Sequence, residues 1–282
     1  MSKIRVTQLD NQVYSPLVSK ILLFFYKNVE FPFRLRILSI VERLLGNKRI
    51  ITKTQFGFEI GIDRADLIQR TIFYDGIYEP EMSLLFSDTL KKNDTFYDIG
   101  ANIGFYTCLA LQKKVKYVVA FEPDDISYKV LLLNIELNSY NRNKYEIVNK
   151  GVSNISGNLD FWRSNVANTG ISSFIPIENS TFETKKIVID LDSFFKETKN
   201  LPTVMKIDVE GWEKFVIQGM KNPIYTSKLR CIFLETEVDK NKNIIDTCII
   251  NFLEAHKFQI KHLERQNNIL ERFENFMCYR NI

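Results

Sequence analysis

A chain of 282 residues with 45% hydrophobic and 26% charged side chains has enough apolar material for a large packed core, which excludes a wholly disordered protein. Its four cysteines, Cys108, Cys231, Cys248 and Cys278, stand singly, which excludes a disulfide scaffold and a paired-cysteine zinc site. The formal charge of +4 is mild but uneven: the first fifty residues carry nine Lys and Arg against Asp10, Glu30 and Glu42, so the remainder is slightly acidic.

From Pro16 to Gly46 apolar residues recur at spacings near three and four, interrupted by Pro32, which predicts two amphipathic helices with a break. Lys and Arg interleaved with aromatic and aliphatic residues from Lys20 to Arg43 suit an interfacial helix on an anionic membrane. The same stripe suits packing on the rest of the chain or on a second subunit of a homo-oligomer. The apolar run Ile21–Tyr26 is far shorter than the ~18 residues of a membrane span and lacks a signal peptide's pattern. A cytoplasmic protein, peripheral to the membrane at most, is expected. Residues 50–80 are mixed, with Phe56–Ile60 alternating like a short strand, and Met82–Leu90 reads as a helix.

After Asp94 the pattern becomes short apolar runs separated by helical periods, the mark of repeated βαβ units. Strands are expected at 95–98, 117–122, 145–149, 204–209, 231–235, 258–262 and 276–279, the last two close enough to pair antiparallel at a sheet edge. Helices are expected at 104–112, 126–138, 213–220 and 243–256. The result is an α/β fold: a doubly wound, mostly parallel seven-stranded sheet. Residues 150–190 break the rhythm, with strands at 158–163 and 187–191 around a polar stretch from Ser164 to Ser180, which reads as a β-rich insertion with a long loop.

The strongest local signal is Asp98-Ile99-Gly100-Ala101-Asn102-Ile103-Gly104, a strand end turning directly into a helix. Such a turn offers tight geometry and unpaired N–H groups at a helix start, suited to a nucleotide-like ligand. The next strand ends in Glu122-Pro123, and an acid at that tip can accept hydrogen bonds from both ribose hydroxyls. A dinucleotide site wants G-x-G-x-x-G, and here Ala101 and Asn102 stand where a close-packed glycine belongs. In Lys206-Ile207-Asp208-Val209-Glu210-Gly211-Trp212-Glu213, alternation puts Lys206, Asp208 and Glu210 on one side of a central strand, opening into the crevice. Either a structural Lys–carboxylate pair or a part in substrate positioning and proton transfer accounts for them.

The D-x-G-x-x-x-G turn with its acid-tipped second strand resembles the first motifs of class I methyltransferases. The ordered set Gly76–Glu81, Asp98–Gly104, Phe121–Pro123, Gly151–Asn154 with Gly157, Asn168–Ser173, Asp190–Asp192 and Lys206–Glu213 resembles the FkbM-type methyltransferase family more specifically. The likeness covers roughly residues 75–236 and implies a methyltransferase domain at 76–282 behind an N-terminal extension, 1–75. It implies S-adenosylmethionine as cofactor, bound by Tyr78, Glu79 and Thr107 at its amino-acid end, by Asp98, Gly100, Ala101, Asn102 and Gly104 at the turn, by Glu122 and Pro123 at the ribose, and by Val152 and Ser153 beyond. It further implies O-methylation of a hydroxyl, commonly on sugars of bacterial glycans or on polyketide-type products. Asp208 is the preferred base, with Glu210 the alternative and Lys206 its anchor; Asn168, Ser172, Ser173 and Glu235 are acceptor-side candidates.

Two departures stand out: Asn154 replaces a frequent aspartate, which weakens an adenine contact there, and Trp212 replaces a small residue. His256 and His262 fall away from the crevice. Asp208 with Glu235 or Glu237 offers hard oxygen donors suited to Mg²⁺, but no Asp–Asn pair follows the fifth strand, and no metal is expected. No nucleic-acid partner is expected either, since the Asn/Asp-Pro-Pro-aromatic element of amino-methylating enzymes is replaced by Asp208-Val209-Glu210-Gly211. An NAD-binding oxidoreductase and a non-catalytic nucleotide-binding module are the alternatives outside the class.

Overall fold

The computed structural model describes residues 49–63, 66–164, 172–176, 180–264 and 272–281. The expected N-terminal helices at 16–46 lie outside these residues. The chain divides into two compact units, Met1–Tyr78 and Glu79–Ile282.

In the first unit, β1 (Arg49–Lys53) and β2 (Glu59–Asp63) form an antiparallel hairpin, followed by α1 (Leu67–Asp75). The alternation at Phe56–Ile60 is therefore half turn and half strand. Thr54 donates from both its backbone N–H and its hydroxyl to the Phe58 carbonyl, at 2.9 and 3.0 Å, and Gly57 takes φ +89° to complete the reversal. Phe58, Ile60, Ile62, Ile72 and Phe73 are buried.

The second unit opens with α2 (Pro80–Thr89), whose Pro80 sits where no N–H is needed. The α/β alternation then runs through β3 (Thr95–Ile99), α3 (Phe105–Gln112), β4 (Tyr117–Phe121), α4 (Asp125–Leu137) and β5 (Tyr145–Val148). After the insertion come α5 (Leu191–Glu197), β10 (Val204–Ile207), α6 (Glu213–Gln218), α7 (Pro223–Thr226), β11 (Cys231–Glu237), α8 (Thr247–Ala255), β12 (Gln259–Leu263) and β13 (Phe273–Tyr279). The seven-stranded sheet has the order β12-β13-β11-β10-β3-β4-β5, and β13 runs antiparallel to both its neighbours. The other pairings, from β11 across to β5, are parallel. The central strands are buried along their whole length, as strands covered on both faces must be, and hence read as mostly apolar runs, with Asp98 and Lys206 as their charged members. The chain winds outward in opposite directions from β3 and β10, so the crevice of this doubly wound fold lies at their carboxyl ends.

The insertion is a second sheet, ordered β6-β9-β7-β8, from β6 (Gly151–Ser153), β7 (Gly157–Ser164), β8 (Ser172–Ser173) and β9 (Ser180–Asp190). β9 ends at Asp190, which caps α5 by accepting the Ser193 N–H at 2.9 Å. That cap replaces the expected strand residue Leu191 by the first residue of a helix.

Candidate functional site

The turn after β3 presses against the loop after β10. Gly100 has φ +81°, and a Cβ there would fall 1.9 Å from the Asp208 carbonyl oxygen. Its glycine requirement comes from the neighbouring backbone rather than from room for a ligand. Likewise Gly104, at φ +86°, is crowded by the Leu131 side chain. The Gly100 and Ala101 N–H groups both donate to the Phe121 carbonyl, and Asp208 N–H donates to the Ile99 carbonyl at 3.1 Å, so β10 ends at Ile207 and Asp208 begins a loop. Glu210 and Gly211 follow at φ +53° and +90°.

Asp98 is buried at this turn and accepts the Thr107 hydroxyl at 2.6 Å. Burial raises its carboxyl pKa above the usual range, against the pull of the Lys206 ammonium. Among the described residues, Asp98 Oδ1 and Asn102 Oδ1 are buried without a hydrogen-bond partner. Buried acceptors of this kind cost free energy until a donor reaches them, so the turn suits a ligand that brings ammonium or hydroxyl groups.

Glu122, at the tip of β4, is engaged through both oxygens: Asn102 N–H donates to Oε2 at 2.7 Å and Asp124 N–H to Oε1 at 2.8 Å. Burial, aided by the charges of Asp124 and Asp98 against these amide donors, pushes its carboxyl up to about 8. Each oxygen keeps a further lone pair for a hydroxyl donor. Pro123, beside it, lends its carbonyl with that of Glu122 to the Asn149 amide at the end of β5.

The charged residues of β10 form a network. Lys206 is 3% exposed; its ammonium lies 2.6 Å from Asp208 Oδ2 and 5.0 Å from the centre of the Tyr106 ring. Burial opposes its charge, but Asp208, Asp98 and Glu79 overcome burial and hold its pKa above the usual lysine value. The Tyr106 hydroxyl donates to Glu79 Oε2 at 3.0 Å, and the Asn275 amide to Glu79 Oε1 at 2.7 Å. Glu79 thus reaches the network from the start of α2. Among the described residues Asp208, Glu210 and Glu235 bring carboxylate oxygens within 4.8 Å of one another. The parallel register of β10 against β11 sets Ile207 opposite Leu234, so the next residues, Asp208 and Glu235, come side by side.

Other candidates sit differently. Tyr78 closes the first unit. Val152 and Ser153 are buried in β6, with Ser153 Oγ accepting the Trp212 indole N–H at 3.3 Å. Trp212, packed on Phe174 and Phe215, covers that strand. Asn154 Nδ2 donates to Gln218 instead of a ligand. Ser173 Oγ donates to the Glu210 carbonyl at 2.9 Å, and Ser172 Oγ lies 3.5 Å from Asp124 Oδ2. Asn168 lies outside the described residues.

The sequence reading missed Tyr106, Asn275, Asp124 and Arg163. Tyr106 reads as core within an apolar helix, and Asn275 comes from a distant strand, so only tertiary pairing brings them in. Asp124 carried a signal: it stands two residues past the ribose candidate and caps α4.

The FkbM methyltransferase domain model matches residues 98–270. The chain is 27% identical over 164 residues to hexuronic acid methyltransferase AglP of Haloferax volcanii, a match covering 57% of this chain and 64% of that protein. It therefore spans slightly less than two thirds of that relative. Among solved structures it resembles the FkbM methyltransferase of Methylobacillus flagellatus, with a TM-score of 0.48 and 16% identity, covering 69% of this chain and 48% of that one. It also resembles precorrin-6y C5,15-methyltransferase of Geobacter metallireducens, with a TM-score of 0.40 and 12% identity, covering 71% and 86%.

Proposed function

The chain belongs to the FkbM methyltransferase family, and from that premise we propose that it is an S-adenosylmethionine-dependent O-methyltransferase whose acceptor is a sugar hydroxyl in a glycan or glycan precursor. Support rests on one arrangement: the Asp98–Gly104 turn, the Glu122 tip and the Asp208 loop meet at the carboxyl ends of three adjacent parallel strands. The sugar acceptor draws on the relative that methylates a hexuronic acid.

S-adenosylmethionine supplies, when bound, a methyl group on a positively charged sulfur. Asp98, Asn102 and Glu122 offer the acceptors for its amino and ribose donors, and Glu79 and Thr107 lie on the same side through Tyr106 and Asp98. Asp208 orients the acceptor hydroxyl and takes its proton, which raises the nucleophilicity of an otherwise poor oxygen. Lys206, kept as an ammonium, holds Asp208 in place and is not itself a base. Much of the acceleration comes from aligning the two reactants.

The experiment is calorimetry with S-adenosylhomocysteine and NAD, paired with transfer of labelled methyl from the cofactor to a glycan extract. Binding of the first and not the second, with label on carbohydrate, is expected. Glu122→Ala should weaken S-adenosylhomocysteine about 10- to 100-fold, the worth of two hydrogen bonds to a buried carboxyl. NAD binding without label transfer would overturn the reading.

A further inference from the structure

The insertion is tied to the segment that follows β4, first at the carboxylate of Asp124. Asp124 is 3% exposed on its side chain and takes the guanidinium of Arg163 on β7 in a two-pronged pair, Nε to Oδ2 at 3.0 Å and Nη2 to Oδ1. The same carboxylate caps α4 by accepting the Ile126 N–H at 2.7 Å and has the Ser172 hydroxyl at 3.5 Å. Its backbone N–H, in turn, holds Glu122 Oε1. Arg163 and Ser172 are register partners across β7 and β8. Ser173, the next residue, holds the Glu210 carbonyl. The two residues of β8 therefore touch the ribose loop on one side and the Asp208 loop on the other. A second tie, Lys186 on β9 to Asp125 at 2.9 Å, fastens the same helix start.

A bidentate guanidinium fixes a carboxylate in both position and plane, which a single point charge does not. The Glu122-Pro123-Asp124 segment has little freedom of its own, since Pro123 locks one dihedral. Fixing the Asp124 side chain therefore fixes the N–H that aims Glu122. Arg163 also neutralises a negative charge two residues from Glu122, which would otherwise oppose ionisation of that acid.

We propose that Arg163 is a positioning residue for the cofactor's ribose: through Asp124 it sets Glu122, and it joins the nucleoside loop to the acceptor-side strand of Ser172 and Ser173. The proposal rests on the reading of Glu122 as the ribose contact.

The test measures S-adenosylhomocysteine affinity by calorimetry for the full chain, Arg163→Gln, Glu122→Ala and the double variant, alongside the 2′,3′-dideoxy analogue of the same ligand. Arg163→Gln should weaken S-adenosylhomocysteine about 5- to 20-fold, the lower part of the range usual for coupling between sites. It should leave the dideoxy analogue unchanged and add nothing to Glu122→Ala. Equal weakening of both ligands, or a full additional loss in the Glu122→Ala background, would overturn the proposal, because a general structural role would not distinguish ribose hydroxyls. Wild-type affinity in Arg163→Gln with weak binding in Glu122→Ala would remove Arg163 alone. Wild-type affinity in Glu122→Ala would remove the ribose reading beneath it. Should Arg163→Gln fail to fold, Arg163→Lys keeps the charge without the fork and must show the same selectivity at smaller size; equal affinity for both ligands relative to the parent would overturn the proposal.

Discussion

At the scale of the residue, Lys206 and Asp208 decide between a structural ion pair and a reaction centre. Lys206 has three carboxylates acting on it, Asp208, Asp98 and Glu79, so losing the charge of one leaves the ammonium compensated. Asp208 is the more exposed partner, with a side chain 18% accessible against 3% for the lysine, and its carboxylate lies near those of Glu210 and Glu235. Asp208→Asn should therefore fold, lose about 1–3 kcal/mol in a urea titration, and bind S-adenosylhomocysteine normally. Its turnover should fall at least about 100-fold in a label-transfer assay. Turnover at the parent rate would make the pair purely structural. The spacing of two picked out Lys206, Asp208 and Glu210 in the sequence as one side of a strand running to Val209, but β10 stops at Ile207 and only Lys206 lies in it. Their separation into a buried anchor and loop carboxylates follows from that stop, which no periodicity announces.

At the scale of the element, the contact between the β3 turn and the β10 loop positions the site. Two glycines make the turn, and they should differ in sensitivity. At Gly100 an added methyl meets a backbone carbonyl that cannot rotate away, whereas at Gly104 it meets the end of the Leu131 side chain. Both also require a positive φ that costs an alanine roughly 1–2 kcal/mol. Gly100→Ala should lose stability well beyond that amount and lower turnover by displacing the Asp208 loop, while Gly104→Ala stays closer to it. Denaturant titration of the two variants checks the order, and equal stability in both would show that the loop yields freely. The same geometry explains a limit of motif reading: the glycine pattern marks this turn, yet the immediate cause of Gly100 is the carbonyl of Asp208, a loop residue more than a hundred positions away.

At the scale of the whole molecule, the buried acids give folding a pH dependence. Burial pushes Glu122 up to about 8 and Glu213 up to about 7, from about 4.5 in the unfolded chain. In Glu213 the Gly211 and Val209 amides act against burial, and Asp208 acts with it. The folded protein thus retains two protons that the unfolded chain releases. Their contribution to stability is full below pH 4.5, declines as pH rises and is lost once pH passes the folded values of about 7 and 8. Each proton retained contributes a slope of about 1.4 kcal/mol per pH unit. Urea titrations at pH 5.5 and 7 should show lower stability at the higher pH, and Glu213→Gln should flatten the difference. An unchanged slope in that variant would mean Glu213 ionises normally in the fold.

The sequence by itself determined the α/β class, the parallel strands and the order of the motifs, because apolar runs, helical periods and turn glycines are local signals that survive in one dimension. It also identified Glu122 and Asp208 as candidates, since each stands at the end of a strand where side chains open into a crevice. Only the tertiary structure decided which groups meet them. Tyr106, Glu79 and Asn275 reach the Lys206 network from the first turn of α3, the start of α2 and a distant antiparallel strand. Arg163 reaches Asp124 from the insertion. No spacing rule connects such residues, because sheet register and the docking of one sheet against another set their distances, and both are properties of the packed chain.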